Sequence, residues 1–226
     1  MLIVKGARVI GGCCAAVVAL VLGSPSFAAT SRQSATRGAA TTDPLAVYFR
    51  HDAVGRAQLS LALSACGTER WTVKTATDDD RLRIATKPRD ASIRYLRTRK
   101  TPSYRPQTGR VAPVELTTYR VRARLVDYVR EADGDYHLVL QDHAGRTMIA
   151  EIPNPSCVAK ISPVKTAVRT ARAWVDSHFS VTSDFKPTNR RVVVRGVGFF
   201  DYFHGQTGMA PDDLELHPVT GLRFAD

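Results

Sequence analysis

Six ionisable residues in the C-terminal half have the types and spacing that chemistry needs. Asp133 and Asp135 flank Gly134 in EADGDY, Asp201 and His204 lie in FFDYFHGQTGMAP, and Glu215 and His217 stand two apart in LELHPV. Turn carboxylates supply oxygen ligands for a divalent cation such as calcium, and an imidazole beside them would add a nitrogen. Asp133, Asp135, Asp201 and His204 are therefore the candidate metal site. The plainer reading is that Asp-rich turns are only turns, because these side chains bond their own backbone there. Residues two apart on a strand share a face, so Glu215 and His217 point together, opposite Leu214 and Leu216, and can place an acid or base beside His204. A half-exposed strand face ended by Pro218 is the structural alternative.

A second constellation is cationic. Residues 81–124 hold thirteen Lys or Arg against Asp90 and Glu115, whereas residues 125–226 hold eleven basic and thirteen acidic residues. Rows of Lys and Arg attract anionic polymers by releasing counterions. Arg94, Arg97, Arg99, Lys100 and Arg105, interleaved with Tyr95 and Tyr104, form one candidate row, and Arg120, Arg122 and Arg124 form another. A solvated basic surface is the alternative. Tyr202 and His204 add a ring and an imidazole in a loop that also holds Phe199, Phe200 and Phe203. Those rings either plug a barrel mouth or form a ligand-binding lip. No nucleophile elbow, Walker loop, dinucleotide fingerprint, HExxH pair or CxxC pair occurs, so covalent, phosphate-loop and zinc-protease chemistry lack motif support. No cofactor is implied beyond the divalent cation.

The elements that must position these residues follow from periodicity. In YRVRARLVDY, Val121, Ala123 and Leu125 alternate with three arginines, the period of a strand with one buried and one basic face. A turn at 133–135, a strand at 136–141, a turn at 143–146 around Gly145 and a strand at 147–152 complete a meander. Ser162 as N-cap, Pro163 in the first position and apolar residues from Val164 to Phe179 at three and four residue steps predict an amphipathic helix. Strands follow at 191–200, with Gly196 and Gly198 marking a bulge or bend, and at 214–224. Trp71 lies in a strand-like pattern and Trp174 in a helical one, and both read as core anchors. Three strands, a helix and two strands is the order of a five-stranded OB-like Greek-key barrel, a mainly β fold with one helix between strands three and four. A generic α+β sandwich is the alternative. The barrel spans 114–226, behind an N-terminal α/β extension and proline-rich basic linker at 44–113, where one or two short helices are expected over 44–66.

The first residues, MLIVKGAR, lead into an uncharged stretch and the small-residue pair Ser26 and Ala28, the pattern of an export signal over 1–28. A disordered leader at 29–43 follows. Loss of Lys5 and Arg8 takes the formal charge from +11 to +9. Cys13 and Cys14 leave with the signal, so Cys66 and Cys157 are expected to pair in an oxidising compartment, the periplasm or the outside medium.

Three segments, ERWTVKTATDDD at 69–80, DGDYHLVLQDHAGRTMIAEIPNPSC at 133–157 and GVGFFDYFHGQTGMAPDDLELHPV at 196–219, resemble a group of exported bacterial proteins of unknown function. The Asp133–Asp135 turn between two strands is also similar to that of the staphylococcal-type nucleases, OB-barrels that hold calcium there. The resemblance stops at the third strand: where those enzymes place an arginine and carboxylates, this chain has Ala150, Glu151, Asn154 and Cys157. The leading functional expectation is an exported, non-enzymatic module for an anionic polymer, nucleic acid or polysaccharide, or for an acidic partner surface. A metal-assisted phosphodiester hydrolase on the same fold is the alternative, and an envelope protein–protein interaction domain is the third. The acidic loops speak against direct phosphate binding unless a cation lies between them.

Overall fold

The computed structural model describes residues 66–225, and the export signal, the leader and the helices expected over 44–66 lie outside them. Two single-turn helices come first, α1 (Trp71–Lys74) and α2 (Ile93–Leu96), with strand β1 (Ala85–Ala91) between them. Then follow β2 (Thr117–Arg130), β3 (Tyr136–Gln141), β4 (Thr147–Ile152), helix α3 (Lys165–His178), β5 (Lys186–Phe200) and β6 (Leu214–Phe224). The protein is mainly β. Among the described residues no helix is long and apolar enough to cross a membrane.

Six strands form one mixed sheet in the order β1-β2-β3-β4-β6-β5, and β5 also pairs with β2. Pairing thus returns to its starting strand: β2–β3, β3–β4, β6–β5 and β5–β2 are antiparallel, and β4–β6 is parallel through Ala150 and Leu216. Length makes this possible for β2, whose 14 residues pair with β5 along most of one edge while the other edge takes β1 near its start and β3 near its end. A register shift between Leu125 and Asp127 changes the phase, so that Leu125 and Tyr128, three apart, both reach the core. In β5 the expected irregularity falls at the two glycines, with register shifts on both sides of Gly196. A Cβ on Gly196 would lie 2.8 Å from the Leu216 Cβ and one on Gly198 2.7 Å from the Val114 carbonyl, so only glycine permits these approaches.

Alternation sorts the side chains. Leu138, Leu140, Met148, Ala150, Ile152, Leu214, Leu216, Val192, Val194 and Phe200 fill the main core, closed at one side by Val168, Ala171 and Val175 of α3. Burying each such aliphatic chain contributes about 1.5–3 kcal/mol.

Three details differ from the periodicity. The unanticipated β1, ATKPRDA, is exposed along most of its length and carries Pro88, so it has no apolar alternation to betray it. Helix α3 starts at Lys165 rather than Pro163: Val164 is the N-cap, without a side-chain cap, and Ser162 stands before it, its hydroxyl donating to the Thr75 carbonyl (2.8 Å) and accepting from the Val164 amide (3.4 Å). Trp71 opens a helical turn, not a strand. The proline-rich segment after residue 100 contains no strand and only a short 3₁₀ turn at Val114–Leu116, yet it is tied down, since Arg110 is buried against Asp78 (2.7 Å).

Candidate functional site

The sheet's other face carries the site. His137 on β3 lies directly opposite Glu151 on β4, and the parallel contact at Ala150–Leu216 brings His217 of β6 alongside. Glu215 faces Phe199 of β5 in the same sheet. These positions alternate with the core residues and would be solvated on a bare sheet, but two covers bury them. One is the 201–213 loop, whose Thr207 carbonyl accepts from His137 Nε2 (2.8 Å) and whose Gly208 lies against Val139. The other is the segment 66–80.

Arg70 anchors that second cover. Its guanidinium meets Glu115 twice (Nη1–Oε1 2.7 Å, Nη2–Oε2 2.8 Å) and donates to the carbonyls of Pro106, Gly109 and Phe200. Its backbone is left-handed (φ 46°), which costs a non-glycine residue about 1–3 kcal/mol and is held by those bonds. The clamp sets Lys74, four residues on, with Nζ 3.1 Å from Asp201 Oδ2. A disulfide between Cys66 and Cys157 fixes the start of the segment to the chain after β4. It closes a loop of 91 residues, a constraint of about 4 kcal/mol in the chain-entropy model.

The result is a continuous ionic ladder. His137 Nδ1 stands 3.1 Å from Glu131 Oε1 and 3.2 Å from Glu151 Oε1. His217 Nδ1 stands 3.0 Å from Glu151 Oε2 and 3.1 Å from Glu215 Oε1, and its Nε2 faces Asp135 Oδ2 at 3.6 Å. Burial opposes charge on both imidazoles, but bonds to Glu131 and Glu151 hold His137 at a pKa of about 10, and bonds to Glu151 and Glu215 do the same for His217. Against its own burial, Glu151 is held well below the ordinary carboxylate range by the two histidines. Burial, reinforced by the charges of Glu151 and Asp201, pushes Glu215 up to about 8. Burial likewise pushes Asp135 up to about 7, although His217 pulls the other way. Lys74 lies above the ordinary lysine range: burial opposes its charge, and Glu215 and Asp201 outweigh that.

A cleft of about 1300 Å³ reaches the ladder at Lys74, Glu131 and Asp201, and both acidic loops line it, through Glu131–Gly134 and through Asp201, His204 and Gln206. Lys74, Arg130 and Arg172 add positive charge to its walls. The four residues expected to share a metal do not meet at one place. Asp201 and His204 come together at the rim with Glu69, 2.7 Å from His204 Nε2, whereas Asp135 joins Glu151 and His217 inside. Asp133 lines the cleft but belongs to neither group, and its Oδ1 accepts from the Asp135 amide (3.1 Å). Glu215 and His217 do share a face, and that face is buried. Of the loop's rings, Phe199 and Phe200 are buried and Phe203 is 78% exposed, while Tyr202 accepts from Gln107 Nε2 (3.2 Å).

The basic block is partly spent on structure. Arg97 donates to the Thr147 carbonyl, Arg99 stacks on Tyr95 (3.8 Å), Arg105 pairs with Asp213 (2.8 Å) and Arg120 with Asp90. Arg94, Arg122 and Arg124 instead meet Arg146 and Arg191 in a second groove of about 560 Å³, where Arg124 donates to Asn189. Lys100 is exposed outside it. Periodicity left out His137, Glu151 and Lys74. The available signal was a histidine at the polar position of two strands, with a glutamate at the polar position of the strand between them.

Comparison with family models, with curated proteins and with solved structures yields no match.

Proposed function

We propose that the chain is an exported hydrolase on an OB-like Greek-key barrel, cleaving phosphodiesters with a divalent cation in the loop cleft. The observation that carries this reading is the meeting of two acidic loops over a buried carboxylate–imidazole ladder. A pocket in which several titratable groups are displaced by burial and by one another is the default place to look for chemistry. The barrel reading draws on the ring of pairings β2-β3-β4-β6-β5 and on a helix between its third and fourth strands, the order in which OB folds use the loops after the first and fourth strands for ligands. Export draws on the signal-like N-terminus and agrees with the Cys66–Cys157 bond. A cation there supplies Lewis acidity and lowers the pKa of bound water. Of the cleft's cations, exposed Arg130 would take a phosphate oxygen, while Lys74 is paired with Asp201 and Arg172 donates to the Ile152 and Gly134 carbonyls. Incubating the purified full chain with single-stranded DNA and RNA, with magnesium, calcium, manganese or zinc and then with chelator, tests it. Cation-dependent cleavage is expected, and intact substrate in every cation counts against the reading.

A second reading, polymer binding without cleavage, is favoured by the five-arginine groove at Arg94, Arg122, Arg124, Arg146 and Arg191. It predicts retention on heparin that falls steeply with salt and a shallower salt slope for the Arg122→Ser/Arg124→Ser double variant. Retention that is absent, or unchanged in that variant, rejects it.

A further inference from the structure

The outward side of β2, β5 and β6 is built from arginines and little else. Arg120, Arg122 and Arg124 alternate with the core residues of β2, and the register sets Arg195, Val193 and Arg191 of β5 directly opposite them. Across β5, Val193 pairs with Arg223 of β6 and Arg195 pairs with Gly221. A Cβ at Gly221 would lie 2.8 Å from Arg195 Nε, so glycine leaves room for that guanidinium to lie across β6. Like charges set directly opposite one another destabilise a sheet. Here two such pairs, Arg120 with Arg195 and Arg124 with Arg191, stand side by side.

Elsewhere the chain supplies carboxylates to its arginines: Arg70 meets Glu115, Arg105 meets Asp213 and Arg110 meets Asp78. On this face Asp90 neutralises Arg120 (2.6 Å), and at its border Asp142 neutralises Arg146 (2.7 Å). Arg94, Arg122, Arg124, Arg191, Arg195 and Arg223 are exposed, and among the described residues none of the six is in an ion pair. A surface that needs only solubility mixes its charges. An arrangement that concentrates one sign at a cost to the sheet is complementary to a polyanion.

Shape and composition select the polyanion. The groove of about 560 Å³ runs into this face, sharing Arg122, Arg124 and Arg191 with it and adding Arg94 of α2 and Arg146 of the turn before β4. A concave groove admits a ridge such as a sugar–phosphate strand, whereas a bilayer presents a plane. No Phe, Tyr or Trp lines the groove or occupies the outward positions of residues 120–124, 191–195 and 221–223. Unpaired bases therefore have no ring to stack on, and stacking is what binders of single strands use. Outward residues on one strand stand about 6.6 Å apart and neighbouring strands about 4.8 Å apart, so the face measures about 13 by 10 Å. Duplex DNA carries one charge per about 1.7 Å of its axis, a density that lets so small a patch meet several phosphates at once.

We propose that the outward face of β2, β5 and β6, continuous with the arginine groove, docks the phosphate backbone of double-stranded DNA without regard to sequence. This rests on the polymer-binding reading and deepens it, naming the polymer and extending the surface to Arg195 and Arg223. The test is fluorescence anisotropy of a short labelled duplex with the full chain, in chelator so that no cleavage intervenes. Affinity is expected to fall about 10³-fold between about 50 and 200 mM salt, the response of about six phosphate contacts, and to be equal for two unrelated sequences. Arg191→Ser/Arg195→Ser should weaken binding at least about tenfold and make the salt slope shallower by about 2. Lys160→Ser/Arg169→Ser removes the same charge from exposed positions outside the face and should stay within about twofold of the unaltered chain, with circular dichroism verifying both folds. No binding at the lower salt, equal losses in the two double variants, or tighter binding to a single strand of the same length or to vesicles of anionic lipid overturns the proposal. Binding to heparin but not to duplex also overturns it, while leaving the polymer reading in place.

Discussion

On three neighbouring strands, adjacent residues are equally buried and chemically opposite. Leu138, Ala150 and Leu216 are 0% exposed in the apolar core, while His137, Glu151 and His217, one residue along, are 0–2% exposed and ionic. The first set gains free energy simply by leaving water. The second loses hydration worth several kcal/mol per ion and recovers it only through partners. A protein seeking stability alone gains little from the second arrangement, since apolar replacements of buried ion clusters are often neutral or stabilising. The difference teaches that burial alone does not separate an apolar core on one face from a paired ionic cluster on the other, and that partner geometry distinguishes them.

Experiments that break or sharpen this contrast fall in order of expected effect. Arg70→Ala removes the clamp between the covering segment and Glu115, strands a buried carboxylate and should cost about 3–5 kcal/mol in chemical denaturation. A loss below about 1 kcal/mol would show that the ionic cover is not held from there. Leu138→Ala, on the apolar face of β3, should cost about 2–5 kcal/mol by the same measurement while leaving metal affinity in place. If metal binding vanished in a variant that remains folded, the two faces would not be separable. The Cys66→Ser/Cys157→Ser pair should lower stability by about 2–4 kcal/mol, visible as a reduced melting temperature that added reductant does not lower further. His204→Ala should change stability by less than about 0.5 kcal/mol, since its contact with Glu69 is 39% and 50% exposed; a larger shift in melting temperature would make the rim a structural part of the site.

Much of this was legible in the sequence because period-two alternation is a direct imprint of a sheet face. The strands at 136–141 and 147–152, the turns at Gly134 and Gly145, and the shared face of Glu215 and His217 follow from it. The cysteine pair followed from arithmetic once two residues were assigned to an export signal. The site itself was harder, because alternation says only which residues share a face, not what covers that face. In YHLVLQ and TMIAEI, His137 and Glu151 occupy the polar positions that ordinarily meet water. Tertiary cover from the 201–213 loop and the Arg70 clamp reverses their environment, and neither contact leaves a local pattern. The same limit hid β1, whose exposed residues and Pro88 carry no apolar period, and the contacts of Arg97 with Thr147 and of Arg105 with Asp213, which no local pattern announces.

The central claim is that the ladder under the loop cleft is the working part of the molecule. Its most direct test is the rate at which the full chain opens a fluorophore-quenched single-stranded oligonucleotide in manganese, compared with Glu151→Gln at equal folded fraction. The account predicts measurable cleavage by the unaltered chain, abolished by chelator and reduced at least about 100-fold in the variant, the scale of losing one group that acts in the transition state. Equal rates in the two proteins, or no cleavage by either, would contradict it.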